Sequence, residues 1–145
     1  MKKFRLDNKI ALITGGSKGI GFGIAKALAE AGSDLVLVAR DNKMLNEALK
    51  KFSATGRQIW IYSFDMSNTD KISDLFAQIV SDTGGIDILV NNAGGTRRGP
   101  ADTITAEDWN YVINLNMTAT FKLCQTLYVD GGLLCTFGPS SWYTD

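Results

Sequence analysis

The chain has 145 residues and a mass of 15.7 kDa, enough for one ordinary domain with a buried core and little more. Its 15 Lys plus Arg balance 15 Asp plus Glu, so no long-range field favours nucleic acid or an anionic membrane, and a charged ligand has to be met by local groups. There is no histidine, which excludes His-based triads, the usual zinc ligand sets and the commonest general base. With 45% hydrophobic and 21% charged residues, the composition predicts a globular protein that is neither disordered nor membrane-spanning. The segment Met1–Asp7 has basic residues with no apolar stretch behind them, so no secretory leader is expected. Cys124 and Cys135 are expected to be free thiols of a cytoplasmic protein.

Taken in chain order, the apolar pattern alternates between short continuous runs and helical spacing. Lys9–Thr14 is a run without polar alternation, as expected of a strand buried on both faces of a parallel sheet. Behind it Ile20, Ile24 and Leu28 recur every four residues and predict a helix closed by Gly32. Asp34–Ala39 is a second buried strand; Met44, Leu45, Ala48, Leu49 and Phe52 form the stripe of a second helix ended by Gly56. Ile59–Phe64 is a third strand, followed by Ser67–Asp70 as a cap region and a helix carrying Ile72, Leu75, Phe76, Ile79 and Val80. Ile86–Val90 is a fourth strand and Asn91–Pro100 a loop. Thr105–Asp108 is a capping box that opens a helix with Trp109, Ile113, Met117 and Phe121 on one face. Four strand-helix units predict an α/β fold, a doubly wound parallel sheet of Rossmann type with right-handed crossovers.

The loop after the first strand, Thr14-Gly15-Gly16-Ser17-Lys18-Gly19-Ile20-Gly21, carries the main chemistry. Glycines there let the backbone turn sharply and approach a pyrophosphate, whose charge then lies on the free N–H groups and positive dipole end of the next helix. A glycine-rich turn serving packing alone is the alternative; the position between a strand and a helix of a repeated pattern argues against it. Joined by Asn91-Asn92-Ala93-Gly94, Asp65 and Asn114, this loop makes the stretch from Leu6 to Leu123 resemble the short-chain dehydrogenase/reductase family, of the 3-oxoacyl-reductase and tropinone-reductase type. The resemblance implies that Gly15, Ser17, Lys18, Gly19, Ile20 and Gly21 hold a pyrophosphate. It also implies that Asp65 hydrogen-bonds adenine, that the Asn91-Asn92-Ala93-Gly94 segment, with Asn91, Ala93 and Gly94 as cofactor-binding residues, contacts ribose and supports the strands, and that Asn114 belongs to an Asn-Ser-Tyr-Lys tetrad in which it helps hold a proton-relay water.

The choice of cofactor follows from charge at the end of the second strand. An acidic residue there binds the ribose 2′-hydroxyl of NAD, whereas a 2′-phosphate needs cations. Ala39 stands at that place, Arg40 follows and Lys18 adds a second positive charge, so NADP(H) is expected and NAD(H) is disfavoured. The same lack of an acid disfavours a methyltransferase. The alternative for Arg40 is neutralisation by the adjacent Asp41. Arg97 and Arg98 either meet an acidic substrate or are solvated surface.

Beyond Leu123 the resemblance changes character. The family's catalytic Ser and Tyr-x-x-x-Lys are absent: four residues after Tyr62, Tyr111 and Tyr128 stand Met66, Leu115 and Gly132, and Tyr143 lies too near the end to have such a partner. Ser140 and Ser141 lie in a Gly-Pro-Ser-Ser turn. Residues 124–145 resemble the family's final strand and its Asp-Gly-Gly turn, joined directly to a dinucleotide-binding half spanning 1–123. The expected sheet is therefore 3-2-1-4 plus a short C-terminal strand, with Thr126–Val129 pairing parallel to Ile86–Val90. The resemblance implies reduction of a ketone or oxidation of a secondary alcohol, impaired in this chain. The alternative is a non-catalytic NADP-binding module or internally deleted variant. A small carbonyl or alcohol substrate, no nucleic acid, no membrane, no metal, and association with a second copy complete the expectation.

Overall fold

The structure, a computed structural model, describes residues 4–100 and 102–126. Four parallel strands, β1 (Ile10–Thr14), β2 (Asp34–Ala39), β3 (Ile59–Ser63) and β4 (Ile88–Val90), lie side by side in the order β3-β2-β1-β4. Helices α1 (Gly19–Glu30), α2 (Asn42–Phe52) and α3 (Ile72–Thr83) connect them. After β4 come α4 (Ala106–Ile113), a wider π turn (Asn114–Thr118) and α5 (Ala119–Thr126). This is the Rossmann-type arrangement that the alternating pattern predicts. The register places Ala11 beside both Leu35 and Ile88, and Ile13 beside both Leu37 and Val90.

The central strands are apolar throughout because both of their faces are covered. Ala11, Ile13, Leu35 and Leu37 point to one side and pack with Ala25, Ala29, Leu45, Ala48 and Phe52 of α1 and α2. Leu12, Val36 and Val38 point to the other and pack with Ile72 and Ile79 of α3 and Leu115, Ala119 and Leu123 of the last helices. Phe22 and Phe52 lock α1 to α2 with ring centroids 4.9 Å apart. Every residue of β4 is only half-buried. Among the described residues its sole strand neighbour is β1.

Two helical faces differ from the pattern in the sequence. α1 presents Gly21, Ala25 and Ala29 to the sheet, not Ile20, Ile24 and Leu28, and Ile20 is 76% exposed. Small residues let the helix backbone lie close to the strands, one residue round from the larger apolar row. Likewise the last helices bury Leu115, Ala119 and Leu123, while Trp109, Met117 and Phe121 face outward. The π turn inserts an extra residue into the helical repeat, so a constant four-residue spacing drawn across it no longer follows one face. α5 continues to Thr126, so the residue expected to open a C-terminal strand is helical; Leu127–Val129 and the remaining tail lie outside the described residues. Among the described residues no helix is long and apolar enough to cross a membrane.

The expected Thr105 cap forms, whereas the Ser67–Asp70 region supplies no side-chain cap to α3, which begins behind Lys71. Asp41 accepts from the Met44 N–H at 3.0 Å and opens α2, and Thr105 accepts from the Asp108 N–H at 3.1 Å and opens α4. Asp41 is therefore engaged as a cap, and Arg40 turns instead toward Asp65 and Tyr111.

At the far end of the sheet Asp87 ties β4 to β1. Its carboxylate accepts from Lys9 Nζ at 2.7 Å and from the Ile10 N–H at 2.9 Å. These bonds, Lys9 first, hold the carboxyl below its ordinary value of 3.8. A carboxyl depressed by folding contributes stability that is complete above the unfolded value and lost as the pH falls through the folded one. Urea midpoints are thus expected to decline below about pH 4, and Asp87→Asn is expected to lower the midpoint at pH 7 and flatten that acid limb. An unchanged acid limb in the variant would refute this role.

Candidate functional site

At the carboxyl ends of the strands the loops behind β1, β2, β3 and β4 enclose a cavity of about 450 Å³. Such a crevice is where ligands bind in open α/β sheets. Its wall contains Gly15, Ser17, Lys18, Gly19 and Ile20 from the first loop, Arg40 from the second, Asp65 from the third, and Ala93 and Gly94 from the fourth. These sequence-predicted residues are thus brought together from four separate segments. Gly21 lies buried beneath them. Asn91 and Asn114 are not part of the wall. The Asn91 amide faces the Sγ of Cys124 at 3.7 Å, and Asn114 opens the π turn.

The first loop depends on glycine at two places. Gly15 has φ +67°, and a Cβ there would meet the Asn92 amide at 2.7 Å. A Cβ on Gly21 would overlap the Gly15 carbonyl and the Asn92 amide. The first and fourth loops therefore touch without room for a methyl group. Gly19, with φ +56°, has open space above it. α1 begins behind Lys18 with no side-chain cap and no acidic residue in its first turn. Its leading N–H groups and positive dipole end are thereby left for an outside acceptor.

Thr14 and Asn116, not among the expected site residues, supply the framework together with Asn92 of the Asn-Asn-Ala-Gly segment. Thr14, 2% exposed, accepts with Oγ1 from the N–H groups of Asn92 and Ala93 at 3.0 Å each. The Asn92 side chain donates to the carbonyls of Thr14 and Gly15 at 3.0 and 3.2 Å. Asn116, two residues past Asn114, donates to the Gly95 carbonyl at 2.8 Å and accepts from the Gly95 N–H at 3.2 Å. Repeated asparagines in both motifs were the available signal; which member of each pair turns inward is a matter of strand and helix phase. Val38, Met44, Phe64, Met66 and Leu115 complete the apolar part of the wall.

Charge in the cavity is local, as the balanced composition requires. The Arg40 guanidinium donates from Nη1 to the Tyr111 hydroxyl at 2.8 Å and stands 3.8 Å from Asp65 Oδ2. The other carboxylate oxygen of Asp65 accepts from Ser67 N–H and Oγ at 2.9 and 2.8 Å. Arg97 stacks on the Tyr111 ring, 4.5 Å from its centroid, and approaches Asp108 at 3.6 Å. Neither tyrosine with a described position lines the cavity. Tyr62 donates to Asp82 at 2.6 Å, and burial together with that bond pushes its phenol far above the usual range. Among the described residues no group of three or more Cys, Asp or Glu is placed to hold a metal ion.

Residues 9–130 match the family model described as short chain dehydrogenase. The chain belongs to the short-chain dehydrogenase family. Gluconate 5-dehydrogenase of Gluconobacter oxydans is 39% identical over 124 residues, which cover 86% of this chain and 48% of that enzyme. L-Sorbose reductase from Gluconobacter frateurii, solved with NADPH and L-sorbose, superposes with a TM-score of 0.80 at 32% identity, covering 86% of this chain and 48% of that one. A metagenomic short-chain oxidoreductase in complex with NADP gives a TM-score of 0.79 at 33% identity, covering 84% and 56%. The chain thus spans about half the length of the curated relatives it matches.

Proposed function

We propose that this chain binds NADP(H) in the cleft at the carboxyl ends of β1–β4, and that as a 145-residue chain it does not catalyse efficient hydride transfer. The observation that carries the first part is the uncapped, acid-free start of α1 opening onto the same cavity as Arg40. The residues present fit a phosphorylated dinucleotide. The open space above Gly19 admits a pyrophosphate to the N–H groups at the head of α1. Arg40 and Lys18 supply cations for a 2′-phosphate, and no acidic side chain follows Val38 until Asp41, which caps α2. Asp65, whose side chain is 41% exposed, lines the cavity and is the acceptor for adenine in this reading. Ala93, held by Thr14, and Gly94, next to the Gly95 that Asn116 holds, are the ribose-side wall, with Asn91 behind them as strand support. Two relatives similar to this chain were solved with NADPH or NADP, which supports the same choice here.

Bound, the cofactor supplies or accepts a hydride at a carbonyl or alcohol carbon. The chain's own part is to bind and orient it; Asn114, in the π turn, is the one tetrad position present. Reduction also needs a proton for the carbonyl oxygen, and Met66, Leu115 and Gly132, not lysines, stand four residues after Tyr62, Tyr111 and Tyr128. Loss of a general acid costs about two to four orders of magnitude in rate. The full activity of the longer relatives, on a small ketone or secondary alcohol, is therefore not expected from this chain alone.

Fluorescence titration tests the reading. NADPH is expected to bind saturably and more tightly than NADH. Arg40→Ala is expected to weaken NADPH by about 10- to 100-fold, the worth of a charge-assisted hydrogen bond to phosphate, and to leave NADH nearly unchanged. Equal affinities in the wild-type chain would refute the cofactor assignment, and brisk NADPH oxidation with any ketone of a panel would refute the catalytic one.

A further inference from the structure

Arg40 is held by a residue that the cofactor reading does not use. Its side chain is 63% exposed, and a long exposed cation ordinarily samples many rotamers, losing that conformational freedom when a ligand fixes it. Here Nη1 donates to the Tyr111 hydroxyl at 2.8 Å. The Tyr111 ring is in turn fixed from its face by Arg97, 4.5 Å from the centroid, and that guanidinium is drawn toward Asp108 beside the Thr105 cap of α4. The aromatic body packs on the core under α3 and α5. A relay of contacts thus joins the start of α4 to a cation on the cavity wall, across 71 residues of sequence.

Asp65 is the competing partner. Its Oδ2 stands 3.8 Å from Arg40 Nη1, inside ion-pair range and beyond hydrogen-bond range. A small rotation of the guanidinium would close that gap and place its positive charge on a carboxylate. The Tyr111 hydroxyl accepts the same Nη1 without cancelling its charge, and the remaining guanidinium N–H groups of Arg40 have no partner among the described residues. A neutral acceptor therefore holds the cation in place while leaving its donors and its charge for an anion.

We infer that Tyr111, braced by Arg97, is a positioning residue for cofactor choice: its hydroxyl holds Arg40 short of a hydrogen bond to Asp65 and oriented toward the 2′-phosphate, so that it sets the preference for NADPH over NADH. The inference rests on the cofactor reading above and adds to it a residue on α4 that touches neither phosphate nor nicotinamide in that reading.

The test is a double-mutant cycle on the full chain, read as dissociation constants for NADPH and NADH by fluorescence titration. Tyr111→Phe keeps the ring and the Arg97 stack and removes only the hydroxyl. It is expected to weaken NADPH about 5- to 10-fold, the net worth of one hydrogen bond, with NADH changed less than about 2-fold. In an Arg40→Ala background the same substitution is expected to leave both constants unchanged. Arg97→Gln, which unpins the ring, is expected to shift the NADPH to NADH ratio in the same direction by about 2- to 3-fold. A role confined to packing would lower the melting temperature or weaken both cofactors together, and that outcome, or an unchanged ratio in Tyr111→Phe, overturns the inference. A wild-type chain that does not prefer NADPH overturns the cofactor reading itself, so the two failures are distinguishable.

Discussion

Gly21→Ala is expected to destabilise the chain by about 2 to 3 kcal/mol and to weaken NADPH binding beyond detection in a micromolar titration. The added methyl group would overlap the Gly15 carbonyl and the Asn92 amide. Both belong to the hydrogen-bonded junction between the first and fourth loops, so neither yields as a flexible side chain would. Relief requires α1 to move away from the sheet, which also withdraws its leading N–H groups from the cavity. Gly23→Ala is the control on the same helix. A Cβ there meets nothing within 4 Å, and replacing an exposed glycine inside a helix stabilises by about 0.5 to 1 kcal/mol. Urea unfolding of the two variants is expected to give shifts of opposite sign; equal shifts would refute the account of the junction.

Thr14→Val is expected to cost about 2 to 4 kcal/mol although the replacement is nearly the same size. The hydroxyl oxygen accepts from two successive backbone N–H groups, those of Asn92 and Ala93, at a site that is 2% exposed. Valine would leave both donors without a partner, and each orphaned buried donor costs about 1 to 3 kcal/mol. Because these N–H groups fix the ribose-side wall, affinity for NADPH is expected to fall with stability. Thr14→Ser keeps the acceptor and is expected to lose less than about 1.5 kcal/mol, the transfer cost of one methyl group. A urea series in which Ser and Val variants unfold at the same midpoint would show that packing, not the hydroxyl, holds the junction.

The comparison of Gly21 and Thr14 also shows how sequence and structure divide the information. Both stand in a recognisable motif, yet the glycine pattern explains itself: a chain that must turn sharply between a buried strand and a helix needs residues without Cβ, and only glycine meets that need at Gly15, where φ is +67°. Thr14 carries no such signature, because its partners lie 78 and 79 residues away. The same distinction separates Asp41 from Arg40. Capping is a contact across three residues, so a helix start at Asp41 follows from local order, whereas the partners of Arg40 arrive from β3 and α4.

By itself the sequence determined the alternation of four strands with helices, the parallel Rossmann-type sheet and the glycine loop, since periodicity, caps and residue identity are properties of short stretches of chain. Only the tertiary structure decided which helical faces are buried, because close approach to the sheet favours Gly21, Ala25 and Ala29 over the larger row beside them and a π turn shifts the phase after Asn114. It alone decided that Asn92 and Asn116 brace the loops, and that Arg40 leans on Tyr111 rather than Asp41. Hydrogen bonds and ion pairs between distant segments depend on distances that exist only once the sheet has brought the strand ends together.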